Sequence, residues 1–266
     1  MRINHTPTSH IPIQTVRNAA QYIISKLPEF WKEFRTPQLP RVCQELSWVF
    51  TDGGTVVDIG GSSGFHASIL ARLGMKAICV DNFKIRERGN INDSFYNHDL
   101  AAEQVAVEFG VEFIHADLLH WTPPFPNSSI DVVMSIDNIE HLHHSPRNLY
   151  MQLVRRLRPG GLFLLGGPNA ANLLKRVRVP LGRNIYSQLE EWYMHKQFIG
   201  HVREPVVSDL IFIAEDLNLK LISIAGRNWL GLIKLPNAIR GPAQIFSGLL
   251  ELFPTLCSDI YMLAKK

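Results

Sequence analysis

The stretch Thr55–Ser68, TVVDIGGSSGFHAS, constrains this 266-residue chain more than any other. An apolar run closes on Asp58, small residues fill Gly60, Gly61, Ser62, Ser63 and Gly64, and helix-compatible sequence comes next. A strand, a tight turn and a helix start in that order form a cradle for a nucleotide-like ligand. Glycines let the backbone come close, and the first N–H groups of the helix point at what lies there. The chain beyond Ser68 should be the rest of a nucleotide-binding sheet, and the chain before Thr55 a cover.

The downstream rhythm agrees. TVVDI reads as a buried strand, His66–Leu73 as a helix stopped by Gly74, and KAICV as a second strand ending on Asp81. Ala101–Phe109 reads as a helix, VEFIHAD as a third strand ending near Asp117, and IDVVMSI as a fourth. A helix capped by Ser145, with Pro146 in its first position, carries Leu149, Leu153 and Leu157 on one face. Pro159-Gly160-Gly161 should break it before a fifth strand, LFLLGG. Ser208–Leu217 reads as a helix, LKLISIAG as a sixth strand and SDIYMLAKK as a last one. Alternation of this kind means an α/β fold: a doubly wound, Rossmann-like, mostly parallel sheet that binds its ligand at the carboxyl ends of the strands.

Residues 1–50 form a helical N-terminal cover in this reading, with Val16, Ala19, Ala20, Ile23, Ile24 and Leu27 at helical spacing. It either caps the mouth of the site or packs on the sheet as an extra helical layer. Residues 51–266 form the main domain, with insertions at 169–205 and 227–256 as an acceptor lid. Cys43, Cys79 and Cys257 lie far apart with no CxxC spacing, so neither a zinc site nor a disulfide framework is indicated. A formal net charge of +3 does not demand nucleic acid. The polar N-terminus and the lack of a bilayer-length apolar run make the cytoplasm the expected location.

Asp58, Gly60, Ser62 and Gly64 give D-x-G-x-S-x-G, a weak signal alone. Asp81 ends the next strand, where a carboxylate can accept both hydroxyls of a ribose. Asp117, ending the third, can reach the amino edge of an adenine. Each also has a plain reading as a turn-opening surface aspartate.

VVDIGGSSGFHA, ICVD, FIHADLLHW, IDVVMSIDNIEHLHHSP and LRPGGLFLLGGPN, in that order, resemble the motifs of class I S-adenosylmethionine-dependent methyltransferases of the type 11/23 kind. The resemblance covers roughly residues 51–169 and more loosely 208 to the end. It implies a seven-stranded sheet whose last strand is antiparallel, with S-adenosyl-L-methionine as cofactor. It further implies that Asp58, Gly60, Gly61, Ser62 and Gly64 hold the methionine part, with Asp81 and Asn82 at the ribose. Asp117 and Leu118 would flank the adenine, and Ser135 and Asp137 would line the sulfonium. Ser62 is the departure, since the family usually has glycine there.

The resemblance extends to SIDNIEHLHH. Related ubiquinone-pathway and small-RNA methyltransferases carry an E-x-x-E-H metal pattern, and Asp137, Glu140 and His141 here give D-x-x-E-H, with His143 and His144 as further nitrogen donors. A larger group of relatives shows a similar E-H and binds no metal. No metal is therefore assigned, and Glu140 and His141 are carried as catalytic candidates for removing the acceptor proton; a structural role stays open.

GHVRE resembles a segment of methyltransferases acting on glycans and lipid-linked saccharides, so His201 and Arg203 can meet a hydroxylated or anionic acceptor; Arg203 is equally read as a surface partner of Glu204. The basic KRVRVPLGR at Lys175–Arg183 and the apolar Trp229–Phe253 together admit contact with a membrane surface. The expected activity is O-methylation of a small-molecule, saccharide or lipid-linked acceptor. The alternatives are an NAD-dependent oxidoreductase and a catalytically inert methyltransferase-like partner subunit. No N/D-P-P-Y/F signature or basic stripe points to nucleic acid, and the oligomeric state is open.

Overall fold

A computed structural model describes residues 6–82, 93–194, 198, 200–228 and 246–266. Three helices come first: α1 (Ile13–Lys26), α2 (Glu29–Arg35) and α3 (Leu39–Val49), the last two joined by a 3-10 turn at Thr36–Gln38. The apolar stripe anticipated on α1 is the face that is buried, at Val16, Ala19, Ala20, Ile23 and Ile24. It packs on α3 and on α4 (Phe65–Arg72).

Seven strands form one sheet: β1 (Thr55–Ile59), β2 (Lys76–Asp81), β3 (Glu112–His115), β4 (Ile130–Ile136), β5 (Leu157–Pro168), β6 (Lys220–Arg227) and β7 (Asp259–Lys265). Their order is β3-β2-β1-β4-β5-β7-β6. β1 pairs in parallel with β2 and β4, β2 in parallel with β3, and β6 antiparallel with β7. The uninterrupted apolar runs TVVDI and IDVVMSI result from this position, because a central parallel strand is covered on both faces. The order reverses between β1 and β4, and such a switch point is where an open parallel sheet binds its ligand.

The remaining helices are α5 (Asp93–Glu108), α6 (Arg147–Arg156), α7 (Leu173–Arg178), α8 (Leu189–Tyr193) and α9 (Val207–Asp216). Several boundaries differ from the sequence reading. α5 begins eight residues before the expected Ala101. α6 starts after Pro146, with the Arg147 N–H donating to Ser145 Oγ at 3.3 Å, and Leu157 belongs to β5. Pro159-Gly160-Gly161 does not break the chain before β5 but lies inside it. The reason is tertiary: Gly160, at φ +84°, donates its N–H to the Lys266 carbonyl, and the Lys266 N–H donates back to Gly161.

Two compact units can be distinguished. One comprises Thr8–Ile136 and Ser145–Leu164 with Lys266. The other comprises Asp137–His144 and Leu165–Lys265 with the N-terminal stretch ending at Pro7. Of the second insertion anticipated at 227–256, residues 229–245 lie outside the described residues. Among the described residues no helix is long and apolar enough to cross a membrane.

Candidate functional site

In the first unit the turn after β1 is shaped by left-handed and close-packed positions between residues 60 and 64. Gly60 and Gly64 take φ of +73° and +77°, and a Cβ on Gly61 would lie 2.6 Å from Asp58 Oδ2 and 2.8 Å from Cys79 Sγ. Glycine at position 61 is therefore required by the carboxylate beneath it. Ser62 also sits at φ +52°, which explains why an L-residue is irregular there. Its backbone N–H donates to Asp81 Oδ2 at 2.9 Å, a bond any residue but proline can make at 62. Ser62→Gly should therefore raise stability by about 1 kcal/mol, measured as a urea midpoint. A destabilised variant would mean that the hydroxyl holds the turn.

Asp58 and Asp81 are both buried, with relative exposures of 2% and 5%. Asp58 Oδ2 has no hydrogen-bond partner among the described residues. Burial, helped by the negative charge of Asp81 and opposed by His66 and Arg35, pushes the Asp58 carboxyl up to about 6. Under the loop and before the N-terminus of α4 there is thus a carboxylate short of positive charge. An anionic pyrophosphate laid on that helix end would face Asp58, whereas a ligand bearing an ammonium and a sulfonium would relieve it. This chemistry fits S-adenosylmethionine and disfavours the dinucleotide alternative.

The other expected cofactor residues lie at or just past carboxyl ends of strands. Asn82 comes directly after β2 and is half-buried. Ser135 is fully buried in β4 and Leu118 is 6% exposed. Asp117 lies two residues beyond β3, where Oδ1 accepts the Leu119 N–H at 3.1 Å and Oδ2 pairs with His120 Nδ1 at 2.7 Å. Its carboxylate is thus engaged by its own turn.

α2 and α3 bring in residues that sequence reasoning missed. Glu45, fully buried, lies 2.7 Å from Arg41 Nε and 3.3 Å from His66 Nε2 on α4. Burial acts to raise its pKa, but Arg41 and His66 outweigh it and hold the carboxyl down at about 2. The Arg35 guanidinium is packed among Trp31, Phe34 and Phe65, 4.9–5.2 Å from each ring centroid. A charged residue inside an otherwise apolar helical stripe was the available signal.

The second unit holds the acidic and imidazole groups. Asp137, exposed and at φ +49°, donates its N–H to the Gly166 carbonyl at 2.9 Å and opens the turn to Glu140. Glu140 is 1% exposed, and its Oε2 finds no hydrogen-bond partner among the described residues. Burial, reinforced by Asp137, pushes its carboxyl up to about 8, so it is a neutral acid at pH 7. His141 Nδ1 lies 3.3 Å from the Gly200 carbonyl. That contact puts the proton on Nδ1 and leaves Nε2 as the basic nitrogen. His201 meets the His141 ring edge-on, with centroids 4.9 Å apart. His201 Nδ1 also bonds Glu204 Oε1 at 2.8 Å, a contact that raises the His201 pKa. Lys175 pairs with Glu204.

One ligand atom each from Glu140, His141 and His201 lie within 4.8 Å of one another, a set able to hold a divalent cation. The third member is His201, in place of the Asp137 of the D-x-x-E-H pattern, and neither His143 nor His144, the further donors offered by the sequence, belongs to the set found among the described residues. His143 Nε2 is 3.0 Å from the Phe198 carbonyl, and His144 is exposed. Arg203 lies 3.4 Å from Asp209, while Glu204 is taken by His201 and Lys175. A pocket of about 250 Å³ within the first insertion is lined by Asn184, Tyr186, Ser187, Trp192 and His201, among others.

The fold and the charge of the β1 turn define a nucleoside-binding protein suited to a cationic ligand. A family model for a methyltransferase domain matches residues 25–224. An uncharacterized methyltransferase of Mycobacterium sp. (strain JLS) is 34% identical over 116 residues, 43% of this chain and 39% of that protein. A probable S-adenosylmethionine-dependent methyltransferase of Mycolicibacterium smegmatis is 29% identical over 117 residues, 44% of this chain and again 39% of the relative. The chain thus matches about two fifths of the length of these relatives. The crystal structure of an S-adenosylmethionine-dependent methyltransferase from Mesorhizobium loti superposes with a TM-score of 0.57 at 14% identity, covering 87% of this chain and 98% of that one, a likeness of fold. The chain belongs to the S-adenosylmethionine-dependent methyltransferase family.

Proposed function

We propose that the chain methylates an oxygen of a hydroxylated small molecule, with a saccharide, free or lipid-linked, as the favoured acceptor class. The pocket in the first insertion carries this reading: it combines aromatic faces from Tyr186 and Trp192 with the polar groups of Asn184, Ser187 and His201. Apolar faces beside a few hydrogen-bonding groups suit a sugar ring. The lipid-linked form has support in exposed Leu174, Val177, Val179 and Leu181 interleaved with Arg176 and Arg178, an arrangement compatible with a membrane surface in the cytoplasm.

In this reading Gly60, Gly61, Ser62 and Gly64 supply close backbone for the methionine part, and Asp58 faces its ammonium. Asp81 and Asn82 take the ribose, Asp117 and Leu118 flank the adenine, and Ser135 and Asp137 line the sulfonium. S-adenosylmethionine held by these residues would supply an activated methyl group for the acceptor oxygen, with S-adenosylhomocysteine as the leaving group and the hydroxyl proton taken up by the protein. The protein aligns that oxygen and accepts its proton. His141 Nε2 is the proton acceptor, and Glu140, neutral at pH 7, donates a hydrogen bond beside it.

Transfer of labelled methyl from S-adenosylmethionine to fractionated small-molecule, glycan and lipid extracts tests the acceptor; label confined to fractions without sugars would overturn the saccharide reading. Asp81→Ala should weaken S-adenosylhomocysteine binding by about 2–3 kcal/mol in calorimetry, since a charge-assisted contact is lost. Unchanged affinity would remove the ribose assignment.

A further inference from the structure

We propose that the start of the first insertion, residues 173–183, is a docking surface for an anionic lipid bilayer. The inference deepens the lipid-linked form of the acceptor reading and rests on it for what the docked pocket receives. From Asn169 to Leu189 the chain contains no aspartate or glutamate, while Lys175, Arg176, Arg178 and Arg183 supply four cations. Leu174, Val177, Val179 and Leu181 are interleaved with them and are 51–65% exposed. Every residue from 176 to 184 faces solvent.

This exposure belongs to a built element. Asn172 caps α7, its Oδ1 accepting the Lys175 N–H at 3.0 Å, and its Nδ2 donates to the Asn169 carbonyl at 3.0 Å. Asn169 is buried and donates from Nδ2 to the Thr255 and Cys257 carbonyls. A 3-10 turn, Val179–Leu181, continues α7 and is stopped by Gly182 at φ +65°, and the Arg183 N–H returns to the Arg178 carbonyl at 3.0 Å. An ordered helix and turn thus hold aliphatic side chains in water, an arrangement that marks an interaction surface.

The charges say what covers it. Lys175 is paired with Glu204, but Arg176 directs its donors to the Ala171 and Thr255 carbonyls, and among the described residues no carboxylate pairs with Arg176, Arg178 or Arg183. A second copy of the chain meeting this face about a two-fold axis would set these cations against one another. A polyanion such as RNA would engage the arginines and leave the aliphatic residues unused. A bilayer answers both features: guanidinium groups meet headgroup phosphates while the aliphatic side chains enter the acyl boundary beside them. The segment also runs directly into the pocket wall at Asn184. Tyr186 and Trp192 line that pocket and are exposed, and such aromatics suit the headgroup level. Docking sets the pocket beside the headgroups, where the saccharide of a lipid-linked acceptor lies.

Sedimentation of the full chain with vesicles tests this with neither donor nor acceptor present. Vesicles of phosphatidylcholine mixed with phosphatidylglycerol should carry the protein down, and vesicles of phosphatidylcholine alone should not. Arg178→Gln combined with Arg183→Gln should weaken partitioning about fivefold per charge at low salt. Val177→Ser combined with Leu181→Ser should weaken it about tenfold or more. Both pairs lie at exposed positions and should leave the urea midpoint unchanged, which separates lost docking from lost folding. No sedimentation with the mixed vesicles, or equal sedimentation with both kinds, would overturn the inference. Binding indifferent to Val177 and Leu181 would also overturn it, by reducing the face to a general polyanion contact. Methyl label confined to soluble fractions in the acceptor assay would instead remove the lipid-linked acceptor and leave the vesicle result standing.

Discussion

Glu45→Gln should cost about 3–5 kcal/mol of folding stability at pH 7, the range for breaking a buried ion pair by removing one partner. Glu45 has no exposure and accepts from Arg41 and His66, so the neutral amide leaves two donors facing a group with no charge to offer. The effect should also depend on pH with a definite sign. The folded carboxyl sits at about 2, below its usual 4.5. Its contribution is therefore full above the unfolded pKa and fades as pH falls from about 4.5 toward 2, because the unfolded chain takes up the proton first. A lowering of that size is equivalent to roughly 3 kcal/mol. Urea unfolding of both proteins at pH 7, 5 and about 3.5 measures this. A difference below about 1 kcal/mol at pH 7, or one that grows on acidification, would mean that the cover is not held to α4 through Glu45.

His141→Ala should lower kcat by roughly 10²–10⁴-fold, the usual share of a positioned base, and leave S-adenosylhomocysteine affinity unchanged. His141 belongs to the second compact unit with Glu140 and His201, whereas the β1 turn belongs to the first. A variant as active as wild type would remove His141 as base. Wild-type activity abolished by a chelator and restored by a divalent cation would make His141 Nε2 a ligand instead, with Glu140 and His201 completing the set.

How far the residues alone carry depends on how local the cause is. β1 and β4 were legible because continuous burial leaves an apolar run that little else produces. The extent of β5 was not, because Gly160 and Gly161 read as a breaker until the carbonyl and N–H of Lys266 pair with them. The small-residue turn was legible, but its need for Gly61 is a matter of Asp58 and Cys79 packed against it. Asp117 was legible as a strand-end acid, while its bonds to Leu119 and His120 depend on a turn geometry that spacing does not encode.

The sequence by itself determined the alternating α/β order, the glycine turn after Asp58, the acids ending β2 and just past β3 and β4, and the family. These are signals of local chain geometry and short spacing, which survive without a fold. Only the tertiary structure decided that His201 from the insertion, rather than Asp137, His143 or His144, joins Glu140 and His141. It also decided that Glu45 and Arg35 of the cover act on α4 and Asp58. Burial and through-space charge between distant segments set those pairings, and neither exists until the chain has packed.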